Sequence, residues 1–439
     1  MRVFKKFFHI AVCMATALAA VAQNKPSTND LANPQAAAVE CRPRGGLPNF
    51  YSKLRQPADV RIAYLGGSIT AQDGWRPKSL AWFQEKFPKA RITEINAAIG
   101  GTGSDLGVFR LRHDVLEHHP DLLFVEFAVN DGGADPADIY RQMEGIVRQT
   151  WESDPAIDIC FVYTLVKDFL KPLQEGHFPR AASAMEKVAD HYSIPSIHMG
   201  VEVAQLEKEG KLVFTGAKPK TDAEKTALEG KILFSPDSVH PYTDTGHALY
   251  LQAIARSMAM MESPGKPTPH VLGTPLVADH LQAAQMLPLD RARLSAGWVK
   301  LDPATNHLAR DFAHYLSPMW TASKPGETLT IKFRGATIAI YDLLGPDCGQ
   351  VSAQIDDQPA HVHPRFDAYC TYHRLAKWAV ADHLSNTVHT VKFTIQAEQP
   401  DKVRILAQRN EKMDDPKRFD GTAWYVGAIL VVGDLLPNE

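Results

Sequence analysis

Apolar residues recur along this chain in two rhythms, and the change between them divides it. From Val60 to Leu65 a run of apolar and β-competent residues reads as a buried strand ending in Gly66-Gly67-Ser68. Leu80, Phe83, Gln84 and Phe87 then fall at helical spacing within Pro77 to Phe87, and a short strand follows at Ile92 to Ala97. Helical spacing returns over Asp105 to His118 through Leu106, Phe109, Val115 and Leu116. Leu122 to Val129 is apolar throughout except for Glu126, the pattern of a central strand covered on both faces. Helices at Asp138 to Trp151 and Arg180 to Tyr192 alternate with strands at Ile157 to Leu165 and Ser196 to Met199, and a last helix runs from Thr243 to Met261. Such alternation predicts an α/β domain over 58–262, with a parallel sheet between helical layers and a site at the carboxyl ends of its strands.

From Trp298 onward the helical period gives way to short β-like runs at Leu329 to Phe333, Thr337 to Leu343, Val351 to Ile355, Val388 to Ile395 and Trp424 to Val432. These predict an all-β sandwich over 297–439, joined through a Pro-rich linker and connector at 263–296. The segment 23–57 is polar and without helix or strand period, and reads as a leader draped over the first domain. Ahead of it, Arg2, Lys5 and Lys6 precede an apolar run from Phe7 to Ala19 and then Ala20-Val21-Ala22, the form of an export signal over 1–22. That run is shorter than the roughly 20 apolar residues of a spanning helix, so the expectation is a secreted or periplasmic protein without membrane insertion. In an oxidising compartment Cys348 with Cys370, and Cys41 with Cys160, are candidate disulfide pairs, with free buried thiols as the alternative.

Composition narrows the function by exclusion. A net charge of −3 over 439 residues leaves no basic stripe of the kind that binds nucleic acid. Gly66-Gly67-Ser68-Ile69-Thr70 lacks the second glycine of the G-x-S-x-G elbow, and Gly101-Thr102-Gly103 does not complete a dinucleotide fingerprint. His361 with His363 and His118 with His119 are pairs that read as solvated faces rather than metal ligands, and no cofactor is expected. Trp298, Trp320, Tyr369, Tyr372, Trp378 and Trp424 are either a sugar-stacking platform or, for most of them, sandwich core.

Three spots carry candidate chemistry. A strand that delivers Ser68 into a glycine-rich turn can display a nucleophile, or merely cap a helix. Asp237 and His240 stand three apart, so the carboxylate can hold one imidazole nitrogen while the other faces a substrate. The Gly100-Gly101-Thr102-Gly103 turn ends the second strand and Asn130 the central strand beside the first, where a backbone N–H and an amide can donate into a common crevice.

Gly66 to Thr70, Asn96 to Gly101, Val129-Asn130-Asp131 and Asp237-Ser238-Val239-His240 resemble the four ordered blocks of the SGNH/GDSL hydrolase superfamily. The resemblance covers Val60 to about Met261 and implies a flavodoxin-like three-layer fold. It assigns Ser68 as nucleophile, Gly101 and Asn130 with the Ser68 N–H as oxyanion donors, His240 as base and Asp237 as its partner. Two positions depart from the family pattern: Gly67 stands where it usually has Asp, and Val129 where it usually has Gly. The Gly-Gly-Ser-Ile-Thr form is similar to extracellular carbohydrate esterases with an added β-sandwich, here jelly-roll-like. The expectation is a secreted serine esterase acting on an acetylated polysaccharide or oligosaccharide, with Trp75 and Arg76 as candidates for the sugar side of the cleft and a core Trp as the alternative. A lipid or small-ester acylhydrolase and a non-catalytic glycan-binding protein are the alternatives.

Overall fold

The computed structural model describes residues 31–262 and 265–437, so the expected export signal lies outside the described residues. The first sheet contains β1 (Cys41–Arg42), β2 (Asp59–Gly66), β3 (Arg91–Ala98), β4 (Leu122–Glu126), β5 (Asp158–Tyr163) and β6 (Ser196–His198). Their order is β1-β6-β5-β4-β2-β3, with β1 antiparallel to β6 and the rest parallel. The helices that frame it are α1 (Pro48–Leu54), α2 (Ser68–Ala71), α3 (Trp75–Lys86), α4 (Ser104–Asp114), α5 (Pro136–Ser153), α6 (Arg180–Tyr192) and α7 (Gly246–Met261).

The chain steps from β2 outward to β3, then back across β2 to β4 and on to β5 and β6. Crossovers between parallel strands are right-handed, so this reversal sends α3 to one face and α4, α5 and α6 to the other. A crevice opens where the direction reverses, at the carboxyl ends of β3, β2 and β4. A separate parallel pair, β7 (Leu212–Thr215) and β8 (Ile232–Ser235), leads into α7.

Within the described part of the expected irregular leader, 31–57, the structure departs from that expectation. Phe50, Tyr51 and Leu54 on α1 are buried, and the Tyr51 hydroxyl donates to the Met258 carbonyl on α7 at 2.7 Å. A helix this short shows too little of its period to be read from the pattern, although Pro48 at its start favours the first turn.

The second domain is all-β and antiparallel: β9 (Ala284–Pro288), β10 (Arg293–Leu294), β11 (Val299–Lys300), β12 (Trp320–Ala322), β13 (Thr328–Leu344), β14 (Gln350–Ile355), β15 (His361–Pro364), β16 (Arg374–Ala381), β17 (Thr387–Ile395) and β18 (Trp424–Leu436). β9 and β10 fall inside the expected connector, but they pair with β18 and β13 and belong to this sheet. β13 is one strand where the pattern showed two runs. It pairs with β17 from Thr328 to Gly335 and with β16 from Ile338 to Leu344, with β18 along its other edge.

Alternation along β13 and β18 explains why both read as nearly continuous apolar runs. Ile338 and Ile340, with Ile429 and Val431, point into the β domain's own core beside Trp378 and Trp424. Ala339, Tyr341 and Leu343, with Ala428 and Leu430, point the other way and join the core of the α/β domain, as do Leu308, Leu316 and Met319. One apolar core therefore runs through both domains. At its rim Arg141 on α5 grips Asp382 at 2.9 and 3.1 Å, and Lys377 on β16 pairs with Asp105 at the start of α4.

All four described cysteines are free thiols, so of the two readings left open the free-thiol one holds. Cys41 and Cys160 lie on strands separated by β6, roughly 10 Å apart at the usual strand spacing and beyond a disulfide's reach. Cys348 is buried with its thiol aimed at the Leu343 carbonyl, and Cys370 is buried against Asp367. Among the described residues, no helix is long and apolar enough to cross a membrane, and no cluster of three or more potential metal ligands occurs.

Candidate active site

Register sets the ends of three neighbouring strands level, with Gly66 beside Ala98 on one side and Glu126 on the other. Ser68, Gly101 and Asn130 follow directly in the turns beyond. Ser68 is the first residue of α2, so its N–H has no acceptor within the helix. Gly100 borders it: a methyl group on Gly100 would stand 3.7 Å from Ser68 Cβ. Gly101 holds a left-handed φ of +74°, which a side chain would strain, and its α-carbon faces open space.

Gly67 has a different constraint. A methyl group there would lie 2.0 Å from Asn130 Oδ1, well inside van der Waals contact. The missing side chain is thus the space in which the Asn130 amide rests beside Ser68. Asn130 itself is exposed to the crevice.

Asp237 and His240 sit in the turn between β8 and α7. Ser238 between them adopts φ +72° in the left-handed region, and its hydroxyl is 2.8 Å from that of Thr215 on β7. This bend brings both side chains to one side. Asp237 Oδ2 is 2.8 Å from His240 Nδ1, and His240 Nε2 is 2.9 Å from Ser68 Oγ. The other Asp237 oxygen accepts from the backbone N–H of His240 at 2.7 Å and of Val239 at 3.0 Å. Burial opposes the Asp237 charge, but the imidazole and then the two N–H groups outweigh it and hold this carboxyl well below the usual range.

Trp75 and Arg76 do not line the cleft, contrary to expectation. Trp75 is fully buried between Tyr64 and Phe124, with its indole N–H donating to Thr70 Oγ1 at 3.2 Å. Arg76 is buried too, donating to the Thr70 carbonyl and pairing with Glu94. Position just past Ser68 shows nearness along the chain, but α3 turns both side chains into the protein. Of the aromatic residues considered for sugar stacking, Trp298, Trp378 and Trp424 are core, Trp320 is half-buried, and Tyr369 and Tyr372 are exposed.

Two buried carboxyls beside the site were not singled out by sequence reasoning. Glu126 is the lone interruption of an apolar strand, and that was the available signal. Asp131 accepts from the Ser104 N–H at 3.1 Å and lies 2.6 Å from the Ser104 hydroxyl, tying the Asn130 turn to the start of α4. Burial raises its pKa to about 7 against the hydrogen bonds from Ser104, with Asp105 and Glu126 adding repulsion. The stability conferred by its protonated form is complete below the usual carboxylate range and is lost as pH rises through about 7. Asp131→Asn should therefore flatten the fall in Tm between about pH 4 and pH 7, and an unchanged slope in thermal melts would reject this.

Residues 64–249 match the model of the GDSL-like Lipase/Acylhydrolase family. The chain carries a GDSL-like hydrolase domain. Among solved structures, a two-domain esterase (CEX) active on acetylated mannans and co-crystallised with mannopentaose is similar at TM-score 0.68 and 21% identity, covering 91% of this chain and 98% of that one. A second structure of that esterase gives the same figures. A variant of an acetyl-xylooligosaccharide esterase from Geobacillus Stearmophilus covers 47% of this chain and 96% of its own, at 17% identity and TM-score 0.34. No curated protein matches the sequence. The likeness to the two-domain esterase extends over both parts of the chain, so the GDSL-like domain followed by a β domain is a shared architecture.

Proposed function

We propose that this protein is a secreted serine esterase that removes acetyl groups from a polysaccharide or oligosaccharide. The observation that carries the hydrolytic part is the relay from Asp237 through His240 to the Ser68 hydroxyl, at 2.8 and 2.9 Å. The carbohydrate part draws on the two-domain esterase active on acetylated mannans, and the secreted part on the signal-like residues 1–22.

In this mechanism His240 Nε2 takes the Ser68 proton as Oγ attacks the acetyl carbonyl, and Asp237 orients the ring and supports its positive charge. The Ser68 and Gly101 N–H groups and the Asn130 amide stabilise the oxyanion. His240 then protonates the departing sugar oxygen, and the same imidazole activates the water that releases acetate. No cofactor enters.

Acetate release from acetylated mannan, xylan, xyloglucan and pectin, alongside a chain-length series of simple esters, tests this reading. Turnover confined to long-chain esters would replace it with a lipid acylhydrolase, and silence on every ester with a binder. Asn130→Ala should lower kcat roughly 10²- to 10³-fold on an activated acetyl ester. Unchanged kcat with a lowered Tm would make that amide structural.

A further inference from the structure

Glu126 is the one charged residue of β4, and only 1% of it is exposed. Burying a carboxyl is costly unless it is paired or hydrogen-bonded. No cation is within ion-pair distance of it among the described residues, and its partners come from the active-site turns. Thr70 Oγ1 donates to one oxygen at 2.8 Å, and Thr164 Oγ1, just past β5, meets the other at 2.8 Å. Burial pushes the carboxyl's pKa up, while Thr164, Thr70 and the backbone N–H of Gly67 pull against it.

The Thr70 hydroxyl accepts the Trp75 indole N–H, so its single proton is directed to Glu126. Gly67 precedes Ser68 and Thr70 follows it by two, so the carboxyl grips the nucleophile turn on both sides of the serine. Replacing such a network with apolar groups of similar shape would cost little stability. What the network supplies is a fixed orientation for the turn.

We propose that Glu126 is a positioning residue for Ser68: its carboxyl holds the turn at Gly67 and Thr70 and anchors it to β5 through Thr164. The proposal rests on Ser68 being the nucleophile.

The test compares wild type with Glu126→Ala, Glu126→Gln and Thr70→Val in kcat and KM on 4-nitrophenyl acetate, in labelling rate by a fluorophosphonate, and in Tm. Glu126→Ala should lose about 10- to 100-fold in kcat and in labelling rate with KM within about twofold, the signature of a displaced reacting group. Glu126→Gln should recover most of that loss, because its carbonyl accepts from Thr70 and its amide can donate to Thr164. If Glu126→Ala does not fold, Thr70→Val decides, with several-fold slower turnover expected at a Tm lowered by the loss of its hydrogen bonds to Glu126 and Trp75. Values of kcat within twofold of wild type in the folded variants would overturn the proposal whatever their Tm. Activity persisting in Ser68→Ala would overturn the nucleophile assignment instead, which separates the two failures.

Discussion

Ser68→Ala should reduce hydrolysis of 4-nitrophenyl acetate by on the order of 10⁶-fold in kcat, to the level of the oxyanion donors and binding alone. Among the described residues the Ser68 hydroxyl has one hydrogen-bond partner, His240 Nε2, and it faces the crevice rather than the core. Its loss should therefore leave Tm within about 1–2 °C of wild type, the range of a surface substitution. Labelling by a fluorophosphonate should vanish in parallel. Residual turnover within about 100-fold of wild type, or persistent labelling of a correctly folded variant, would mean that another group attacks the ester.

The second large effect concerns the β domain. Ending the chain at Glu262 should give a fragment that is insoluble or melts far below the full-length protein. Leu308, Leu316, Met319, Tyr341, Leu343 and Leu430 would be gone from a core they share with the α/β domain. At about 1.5–3 kcal/mol for each buried side chain, that loss is on the order of 10 kcal/mol. It matches the whole net stability of a typical domain, about 5–15 kcal/mol. Removing Asp279 and Asp382 would leave Arg141 paired with Asp138 alone among its described acidic partners, and Asp105 would lose Lys377 at the exposed face. Size-exclusion chromatography and a thermal melt decide it. A monodisperse fragment with a near-native Tm would show that the shared core contributes little.

Alternation of strand and helix made the parallel sheet legible from Val60 to Met261. The turns after β2, β3 and β4 then pointed to Ser68, Gly101 and Asn130 as neighbours, because strand ends in such a sheet converge. The spacing of Asp237 and His240 suggested that their side chains meet, but the left-handed bend at Ser238 that achieves this has no sequence signal of its own. Periodicity cannot tell which buried surface a residue meets. For that reason Ile338 and Tyr341 looked equivalent, although they serve different cores, and Trp75 looked like a cleft residue when Thr70 satisfies its indole inside the protein. Glu126 stood out in the pattern, yet its significance depended on Thr164, which is far from it along the chain.

The close approach of Asn130 to the α-carbon of Gly67 bears on attempts to redesign this protein. Engineering by family consensus would place aspartate there first, since the chain departs from the family pattern at that position. The new side chain would claim the volume now filled by the amide and evict it from the crevice. A change chosen to make the protein more typical would thus displace the amide proposed to serve beside its serine, and back-to-consensus libraries for this scaffold should leave Gly67 untouched.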